Sequence, residues 1–476
     1  MPQTRFDLSV SRRGILGMAG TLALSASAAS AASVLTAGET DMPATIEAIV
    51  GRAMKEGPFP GLVVAIEKGG RTIYRRAFGQ ADLENALPVT PDMVFPIGSV
   101  TKTMTGLSAM QLVAAGKIGL DDPASRWIDG LPPAVGEIRL RNLLDHTSGL
   151  VAYTDAPGFP RDSQRPFTRD EVVGWFKDLP LQFAPGSRWS YTNSGTYLMG
   201  LVIEKASGMD YGAYLKHHIF EPFGMTHSST GDWRTLLPGR AHGYVPGKAG
   251  LENAPRYDPL VPFSAGMVLS TADDMMRYRR GVFGDGPTSA EVRRLILQRD
   301  RLSSGTELPY SLGCLAVTRF EGHRKIGHPG DIFGFSSQYA WYPDDDVTII
   351  ILANIQGGAI PIVSLEQKIA RAALGLPQPV ILDRRLPSAE AARYAGSYEI
   401  GEIRFAVAAM RFFLEDGALN VSFGHGDAPG LPLRYQGNGV FVSRYDDEHR
   451  FRFTGSGARR SVAMDYYGST FLAAIT

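Results

Sequence analysis

The stretch Phe95-Pro-Ile-Gly-Ser-Val-Thr-Lys-Thr103 decides how the rest of this chain is interpreted. Apolar residues recur after it at a helical period, which predicts a helix over about 100–115. Lys102 stands three residues after Ser99, so both side chains lie on one face of that helix. A serine hydroxyl becomes nucleophilic when a base takes its proton, and a desolvated lysine can be that base. The alternative is a helix-capping serine beside a solvated lysine.

A second pattern is Tyr191-Thr-Asn193, since Tyr191 alone among the 18 tyrosines has asparagine two residues later. A helix is predicted directly after it, over about 195–207, with Asn193 or Ser194 as its cap. A phenol can relay a proton, and an amide can bind a substrate carbonyl. Taken alone, the pattern is also typical of a packed tyrosine followed by a capping asparagine.

A third pattern is His328-Pro-Gly330, and His328 alone among the nine histidines has glycine two residues later. The sequence places it just before a strand that starts near Phe333, where it could line a cleft from the strand's edge. A lone histidine is more often structural, so this pattern gains weight only beside the other two.

Together these elements resemble the penicillin-recognising serine hydrolases, a family of β-lactamases, D-alanyl-D-alanine peptidases, esterases and D-aminopeptidases. The family's three elements are S-x-x-K, Y-x-N and K-T-G or H-x-G. The Y-x-N and H-x-G forms are similar to those of the class C β-lactamase and low-molecular-weight peptidase branch. The stretches Leu143–Leu150 and Pro185–Ser194 also look like family sequence, and the resemblance spans about 42–375.

The resemblance implies an acyl-enzyme mechanism with Ser99 as nucleophile, Lys102 as its activating partner and Tyr191 as proton shuttle. Either Lys102 or Tyr191 could be the acylation base. Backbone N–H groups of Ser99 and Asp331 would form the oxyanion hole, and His146 would support the site. The substrate-binding residues implied are Asn193, His328, Gly330 and Asp331. No cofactor and no metal are expected.

The third element departs from that of many β-lactamases, which carry a cationic lysine where this chain has His328. A histidine is mostly neutral near pH 7, and Pro329 removes a hydroxyl that would contact substrate. We therefore expect hydrolysis of amide or ester bonds, in D-amino-acid peptides or esters, with β-lactam hydrolysis weak or secondary. The alternatives are an efficient class C-like β-lactamase and a non-catalytic protein that binds penicillin or peptidoglycan.

The distribution of strands and helices predicts an α+β fold. Two strands come early and several late, with helices between them, which favours an antiparallel sheet whose first and last strands meet, flanked by helices. The resemblance adds an all-helical subdomain, as in β-lactamases and transpeptidases. The predicted strands are Gly61–Glu67, Arg71–Ala77, Gly334–Tyr342 and Val347–Ala353, and the predicted outer helices are Pro43–Lys55 and Val363–Leu374.

The composition changes at Gly375-Leu-Pro-Gln-Pro379, which is typical of a linker. Beyond about Leu386, short alternating runs separated by Gly, Asn and Asp predict a small all-β domain, a barrel or sandwich. It resembles the lipocalin-like barrel appended to some D-aminopeptidase-like and esterase members. The predicted domains are therefore 42–378 and 386–476, and we expect the second to restrict the cleft of the first.

The N-terminal segment 1–31 is predicted to be a signal peptide. It contains Ser11-Arg-Arg-Gly-Ile-Leu16, a mildly apolar run and small residues that end in Ala26-Ser-Ala28 and Ala29-Ser-Ala31. The paired arginines resemble a bacterial twin-arginine export signal. We expect a periplasmic or secreted protein with no stable membrane insertion after cleavage.

Composition and missing motifs exclude other classes. The formal net charge is zero, 48 basic against 48 acidic residues, which disfavours nucleic acid as a partner. No serine lies in G-x-S-x-G, and the histidines lack H-x-x-x-H spacing, so an α/β-hydrolase and a metalloenzyme are disfavoured. The expected partner is a small-molecule or short-peptide substrate, and the sequence does not predict an oligomeric state.

Overall fold

A computed structural model describes residues 42–157, 159, 165–231, 235–382, 384–404, 408–415, 417–423, 430–444, 446–466 and 469–476. The predicted signal peptide, residues 1–31, lies outside the described residues. Within them, no helix is both long and apolar enough to cross a membrane.

The centre of the catalytic part is a seven-stranded antiparallel sheet with strand order β4-β5-β6-β7-β1-β2-β3. The early strands β1 and β2 lie beside the late strand β7, with Ala65 opposite Ile350, which confirms the predicted meeting of early and late strands. The strands are β1 (Gly61–Lys68), β2 (Arg71–Asp82), β3 (Leu87–Pro88), β4 (Ala316–Phe320), β5 (His323–Ile332), β6 (Phe335–Tyr342) and β7 (Val347–Ala353).

Helices cover both faces of this sheet, because its inner strands are apolar on both sides. Alternate residues of β1 enter different cores: Val64 packs with α1 and α6, whereas Val63 packs with the helices of the other face. The longer helices are α1 (Met42–Glu56), α2 (Thr101–Ala114), α3 (Asn193–Ser207), α4 (Ala272–Phe283), α5 (Ala290–Ile296) and α6 (Ile362–Leu374).

Short elements complete the helical side and the rim of the sheet. The short α-helices are Pro133–Gly136, Leu140–Leu144, Arg169–Gly174, Tyr211–Leu215, Phe263–Gly266 and Ser388–Ala391, with a π turn at Lys216–Phe220. The 3-10 turns are Gly98–Val100, Ala124–Arg126, Tyr153–Asp155 and Gly457–Arg459. The short strands are Phe95–Pro96, Trp189–Ser190, Ser229–Thr230, Tyr244–Pro246, Leu251–Asn253, Val268–Ser270 and Ile403–Arg404.

The C-terminal region forms a closed eight-stranded barrel in which β8 pairs with both β9 and β15. Aromatic side chains fill its interior: Tyr398, Phe412, Phe441 and Phe451 are at most 1% exposed. A barrel, and not a sandwich, is therefore what the short runs form. Its strands are β8 (Gly396–Ile400), β9 (Ala409–Glu415), β10 (Ala418–Phe423), β11 (Leu431–Gly437), β12 (Val440–Ser443), β13 (Arg450–Thr454), β14 (Ser461–Tyr466) and β15 (Ser469–Ile475).

Among the described residues, the C-terminal region contacts the catalytic part at α6, at Trp189–Ser190, and at Ser304 and Thr306, whose hydroxyls donate to the Glu402 carboxylate. Its residues 446–448 bind α6 through polar pairs such as Lys368–Asp447 at 3.3 Å and Arg371–Glu448 at 3.2 Å. The strand Ile403–Arg404 pairs in parallel with Trp189–Ser190. The second contact lies directly before Tyr191 and so connects the barrel to the candidate site.

Candidate active site

Ser99 lies in the 3-10 turn Gly98–Val100, directly before α2 begins at Thr101. This turn contacts strand β5 closely, since a Cβ on Gly98 would come within 2.9 Å of the Asp331 carbonyl carbon. Gly98 also has φ of 49°, which glycine adopts without strain. The serine is therefore held between the start of a buried helix and the end of β5.

Lys102 is fully buried, and its Nζ contacts three oxygen atoms. It lies 2.8 Å from Asn193 Oδ1, 2.8 Å from the Ala265 carbonyl and 3.0 Å from Ser99 Oγ. Burial lowers the pKa of Lys102 to about 7. A neutral lysine amine has two N–H bonds, which suit the two oxygens that can only accept, Asn193 Oδ1 and the Ala265 carbonyl. Its lone pair can then accept the proton of the Ser99 hydroxyl. The geometry therefore suits proton transfer from Ser99 to Lys102.

The ring of Tyr191 lies beside this pair, with Lys102 Nζ 5.0 Å from its centroid. Burial raises the pKa of Tyr191 well above its ordinary value, and the negative charge of Asp331 raises it further, while a hydrogen bond with Ser99 lowers it. Tyr191 therefore stays a phenol near neutral pH. A phenol at this place can give a proton to a leaving group, but it is a poor base for Ser99.

Asn193 is the first residue of α3, and its side chain binds Lys102 instead of capping the helix. The cap is Thr192, whose Oγ1 accepts the Ser194 N–H at 3.2 Å. The predicted cap, Asn193 or Ser194, was therefore wrong. The reason is a tertiary contact, because the buried ammonium or amine of Lys102 attracts the amide oxygen that would otherwise satisfy the backbone.

His146 packs under Tyr191, with ring centroids 4.4 Å apart. Its Nδ1 accepts the Thr192 N–H at 3.3 Å, so the proton of the neutral ring is on Nε2. Burial lowers the pKa of His146 well below its ordinary value, and the Lys102 charge adds to this. A neutral His146 thus contacts the loop that carries Tyr191 through both its ring face and its Nδ1.

His328 precedes a strand that begins near Phe333, as predicted, but it also lies within a strand of its own, β5, which the sequence did not predict. The following strand, β6, begins at Phe335. Proline and glycine, as in Pro329 and Gly330, are typical of loops, so the sequence gives little sign of a strand here. The strand accommodates them because β4 pairs with β5 only as far as Gly327. Beyond that residue β5 is an edge strand on one side, where proline is tolerated.

The His328 side chain is 3% exposed and points into the protein. Its Nε2 accepts the Tyr310 hydroxyl at 2.9 Å, and its Nδ1 faces the Pro329 carbonyl, so the ring is neutral. Burial and the Lys102 charge lower the pKa of His328 to about 3. Strand β5 therefore carries no cation in the H-x-G motif, at the position where many β-lactamases have a lysine.

Gly330 allows β5 to lie directly against the segment that leads to Ser99. A Cβ there would come within 2.1 Å of the Ile97 carbonyl oxygen and 2.4 Å of Ser337 Oγ. Asp331 follows at the end of the strand and is exposed. Its backbone is thus close to the serine turn, as two N–H groups facing one oxyanion require.

The structure adds two partners that the motifs did not indicate. The Ala265 carbonyl in helix Phe263–Gly266 accepts a hydrogen bond from Lys102, and Tyr310 holds the His328 ring. A backbone carbonyl carries no sequence signal. Tyr310 stands four residues before Cys314 in an apolar run, and both side chains are buried.

One group of side chains elsewhere has metal-ligand chemistry. Ligand atoms of Asp82, Glu84 and His242 lie within 4.8 Å of one another. The carboxylates already accept hydrogen bonds, Asp82 from Asn85, and Glu84 from Tyr244 and Asn253. The cluster is therefore satisfied as a hydrogen-bond network, and it contains none of the residues around Ser99.

Comparison with known proteins agrees with this geometry. The Beta-lactamase family model matches residues 46–373. Penicillin-binding protein 4* of Bacillus subtilis (strain 168) is 30% identical over 366 residues, which are 71% of this chain and 79% of that protein. The D-aminopeptidase of Brucella anthropi is 28% identical over 323 residues, 67% of this chain and 60% of that protein.

A solved structure extends the likeness to the barrel. The octameric penicillin-binding protein homologue from Pyrococcus abyssi superposes with a TM-score of 0.64 at 23% identity, over 91% of this chain and all of that one. At that identity the superposition shows a shared fold. Together with the family match over 46–373, it leads to one conclusion: this chain belongs to the Beta-lactamase family and is a serine hydrolase of the β-lactamase fold.

Proposed function

We propose that the enzyme hydrolyses amide or ester bonds through an acyl-enzyme on Ser99. The observation that carries this proposal is the environment of Lys102, which is fully buried, 3.0 Å from Ser99 Oγ and shifted in pKa to about 7. A lysine with such a pKa can accept the serine proton at neutral pH and return it later.

In this scheme the predicted residues carry the proton transfers, bind the oxyanion and position the substrate. Lys102 removes the Ser99 proton as the hydroxyl attacks the carbonyl, and the N–H groups of Ser99 and Asp331 bind the oxyanion. Tyr191 donates its phenol proton to the leaving group and is reprotonated by Lys102. In deacylation Tyr191 and Lys102 activate the attacking water by taking its proton, which returns to Ser99 Oγ as the acyl bond breaks. Asn193 positions Lys102 and the substrate. His328 is too deeply buried to contact substrate, and its neutral ring places no positive charge at this position of β5, while Gly330 allows the close approach of the strand.

We propose D-amino-acid peptides, amides or esters as substrates, with β-lactams as slow acylators. The neutral His328 supports this choice, since the position where many β-lactamases have a lysine offers no cation to bind the carboxylate of a β-lactam. The similarity to a D-aminopeptidase supports the same substrate class.

A substrate panel with a matched variant tests the proposal. Wild-type protein and Ser99→Ala would each be assayed with D-alanine p-nitroanilide, p-nitrophenyl butyrate and nitrocefin. We expect turnover of the anilide or the ester, slow or no nitrocefin hydrolysis, and no activity in Ser99→Ala. Efficient nitrocefin turnover would favour the class C-like β-lactamase, and an inert wild-type protein would favour the non-catalytic binding protein.

We further propose export by the twin-arginine route to the periplasm or the medium. Support comes from Arg12 and Arg13 in their Ser-Arg-Arg-x-x-Leu setting. Replacing both arginines by lysine should leave the protein in the cytoplasm of a bacterial host, whereas the unaltered chain should appear outside it. Equal export of the two chains would contradict the route.

The barrel, residues 386–476, is proposed to border the cleft and limit substrate length. The N–H of Trp189 donates to the Glu402 carbonyl at 2.9 Å, two residues before Tyr191, which supports a place at the cleft's rim. Deleting 386–476 should raise kcat/KM for long peptides relative to short ones. An unchanged substrate profile would contradict this role.

A further inference from the structure

The end of strand β5 presents alternate residues to two sides, as strands do. His328 and Gly330 point into the interior, against Tyr310 and Ile97. The residues between and after them, Pro329 and Asp331, point the other way, and Pro329 is half-buried while Asp331 is exposed. A carboxylate therefore stands on the open side of the strand that borders Ser99.

Asp331 is close to the reacting groups. Its backbone would be 2.9 Å from a Cβ on Gly98, the residue before Ser99. Its negative charge also acts on the Tyr191 hydroxyl, where it raises the pKa. Because the Asp331 backbone borders the turn that carries Ser99, a substrate that acylates Ser99 comes within electrostatic reach of the Asp331 carboxylate.

The Asp331 carboxylate lacks a positive partner among the residues described. Its one hydrogen bond comes from Ser336, 2.7 Å from Asp331 Oδ1. That hydroxyl is also 2.8 Å from the Ile355 carbonyl, and one proton cannot serve both acceptors fully. Although part of Asp331 is open to solvent, the protein around its carboxyl group desolvates that group and raises the pKa of Asp331.

The geometry points to Asp331 as the residue that selects substrates with a positive charge next to the scissile bond and disfavours those with a carboxylate there. An ammonium group would supply the missing partner of Asp331, whereas a carboxylate would meet a like charge in a partly desolvated cleft. This inference rests on the proposed function and deepens it by naming the substrate's charge. The ammonium could belong to the acyl part or to the leaving group.

Two matched substrate pairs distinguish those sources. The first is D-alanine p-nitroanilide against its N-acetyl derivative, which differ by a charge on the acyl part. The second is butyrylthiocholine against the neutral S-ethyl thiobutyrate, which differ by a charge on the leaving group. For each pair the ratio of kcat/KM, charged over neutral, is measured on one enzyme sample, so a general loss of activity cancels.

The variant Asp331→Asn keeps an acceptor for Ser336 and removes the charge. We expect it to lower the charged-over-neutral ratio about 10- to 100-fold for the pair whose ammonium meets Asp331. It should also raise the rate of acylation by benzylpenicillin relative to that by a neutral ester. Asp331→Glu should keep the wild-type preference, and the remote surface change Asp344→Asn should leave both ratios as in the wild type.

Equal ratios in wild type and Asp331→Asn for both pairs would overturn the inference, while turnover itself would leave the proposed function standing. Absence of any turnover in the wild type, together with no labelling of Ser99 by a neutral fluorophosphonate, would instead overturn the proposed function. A fall in the first ratio alone would assign the ammonium to the acyl part, and a fall in the second alone would assign it to the leaving group.

Discussion

Acylation of Ser99 should depend on pH through a single ionisation near pH 7, that of Lys102. Burial lowers the pKa of this lysine to about 7 from 10.5, and only the neutral amine can take the serine proton. The neutral fraction is about 90% at pH 8 and about 10% at pH 6, so the acylation rate should fall about tenfold between them. The acylation rate should rise as pH rises through the pKa of Lys102, because the deprotonated lysine is the base.

The assay is the pre-steady-state burst of p-nitrophenol from p-nitrophenyl acetate, which reports acylation separately from deacylation. Lys102→Met should slow the burst about 10²- to 10⁴-fold at pH 8, because the general base is lost. The surface variant Lys117→Met should keep both the rate and the inflection. An inflection near pH 10 or higher would refute the reasoning, since it would mean an unshifted lysine or a Tyr191 phenolate as the base.

Three substitutions test close contacts within the catalytic part, two of them beside the candidate site. Gly330→Ala should destabilise the protein by about 1–3 kcal/mol in urea unfolding, because the new Cβ would lie 2.1 Å from the Ile97 carbonyl. Thr192→Ala should cost about 1 kcal/mol in the same experiment through loss of the helix cap. Glu366→Gln should cost about 3 kcal/mol, because it leaves the buried Lys325 charge uncompensated, whereas wild-type thermal stability in this variant would contradict the buried pair.

The sequence predicted those features of the site that depend on local geometry. Ser99 and Lys102 are one helical turn apart, so their contact follows from the period of α2, and the structure has them 3.0 Å apart. The strands were predictable for a similar reason. Runs such as Val347–Ala353 are short and apolar and have turn residues at their ends, a pattern typical of buried strands.

The features that the sequence missed depend on residues distant along the chain. Asn193 was predicted as a cap because nothing local shows that Lys102, 91 residues earlier, binds its amide. His328 was expected to line the cleft, yet Tyr310 draws its ring into the interior. For Asp331 the resemblance implied an oxyanion-hole role of the backbone N–H. The orientation of its carboxylate depends on the pairing of β5 with β6, which the sequence does not specify.

The proposed mechanism requires a covalent intermediate on Ser99, which intact-mass spectrometry detects. The protein would be mixed with p-nitrophenyl acetate, quenched in acid within the burst, and digested to locate any added acyl group. We predict one acyl group on the peptide that contains Ser99, a larger trapped fraction in Tyr191→Phe because deacylation slows, and no added mass in Ser99→Ala. An unmodified wild-type protein during turnover, or an adduct that persists in Ser99→Ala, would contradict the claim.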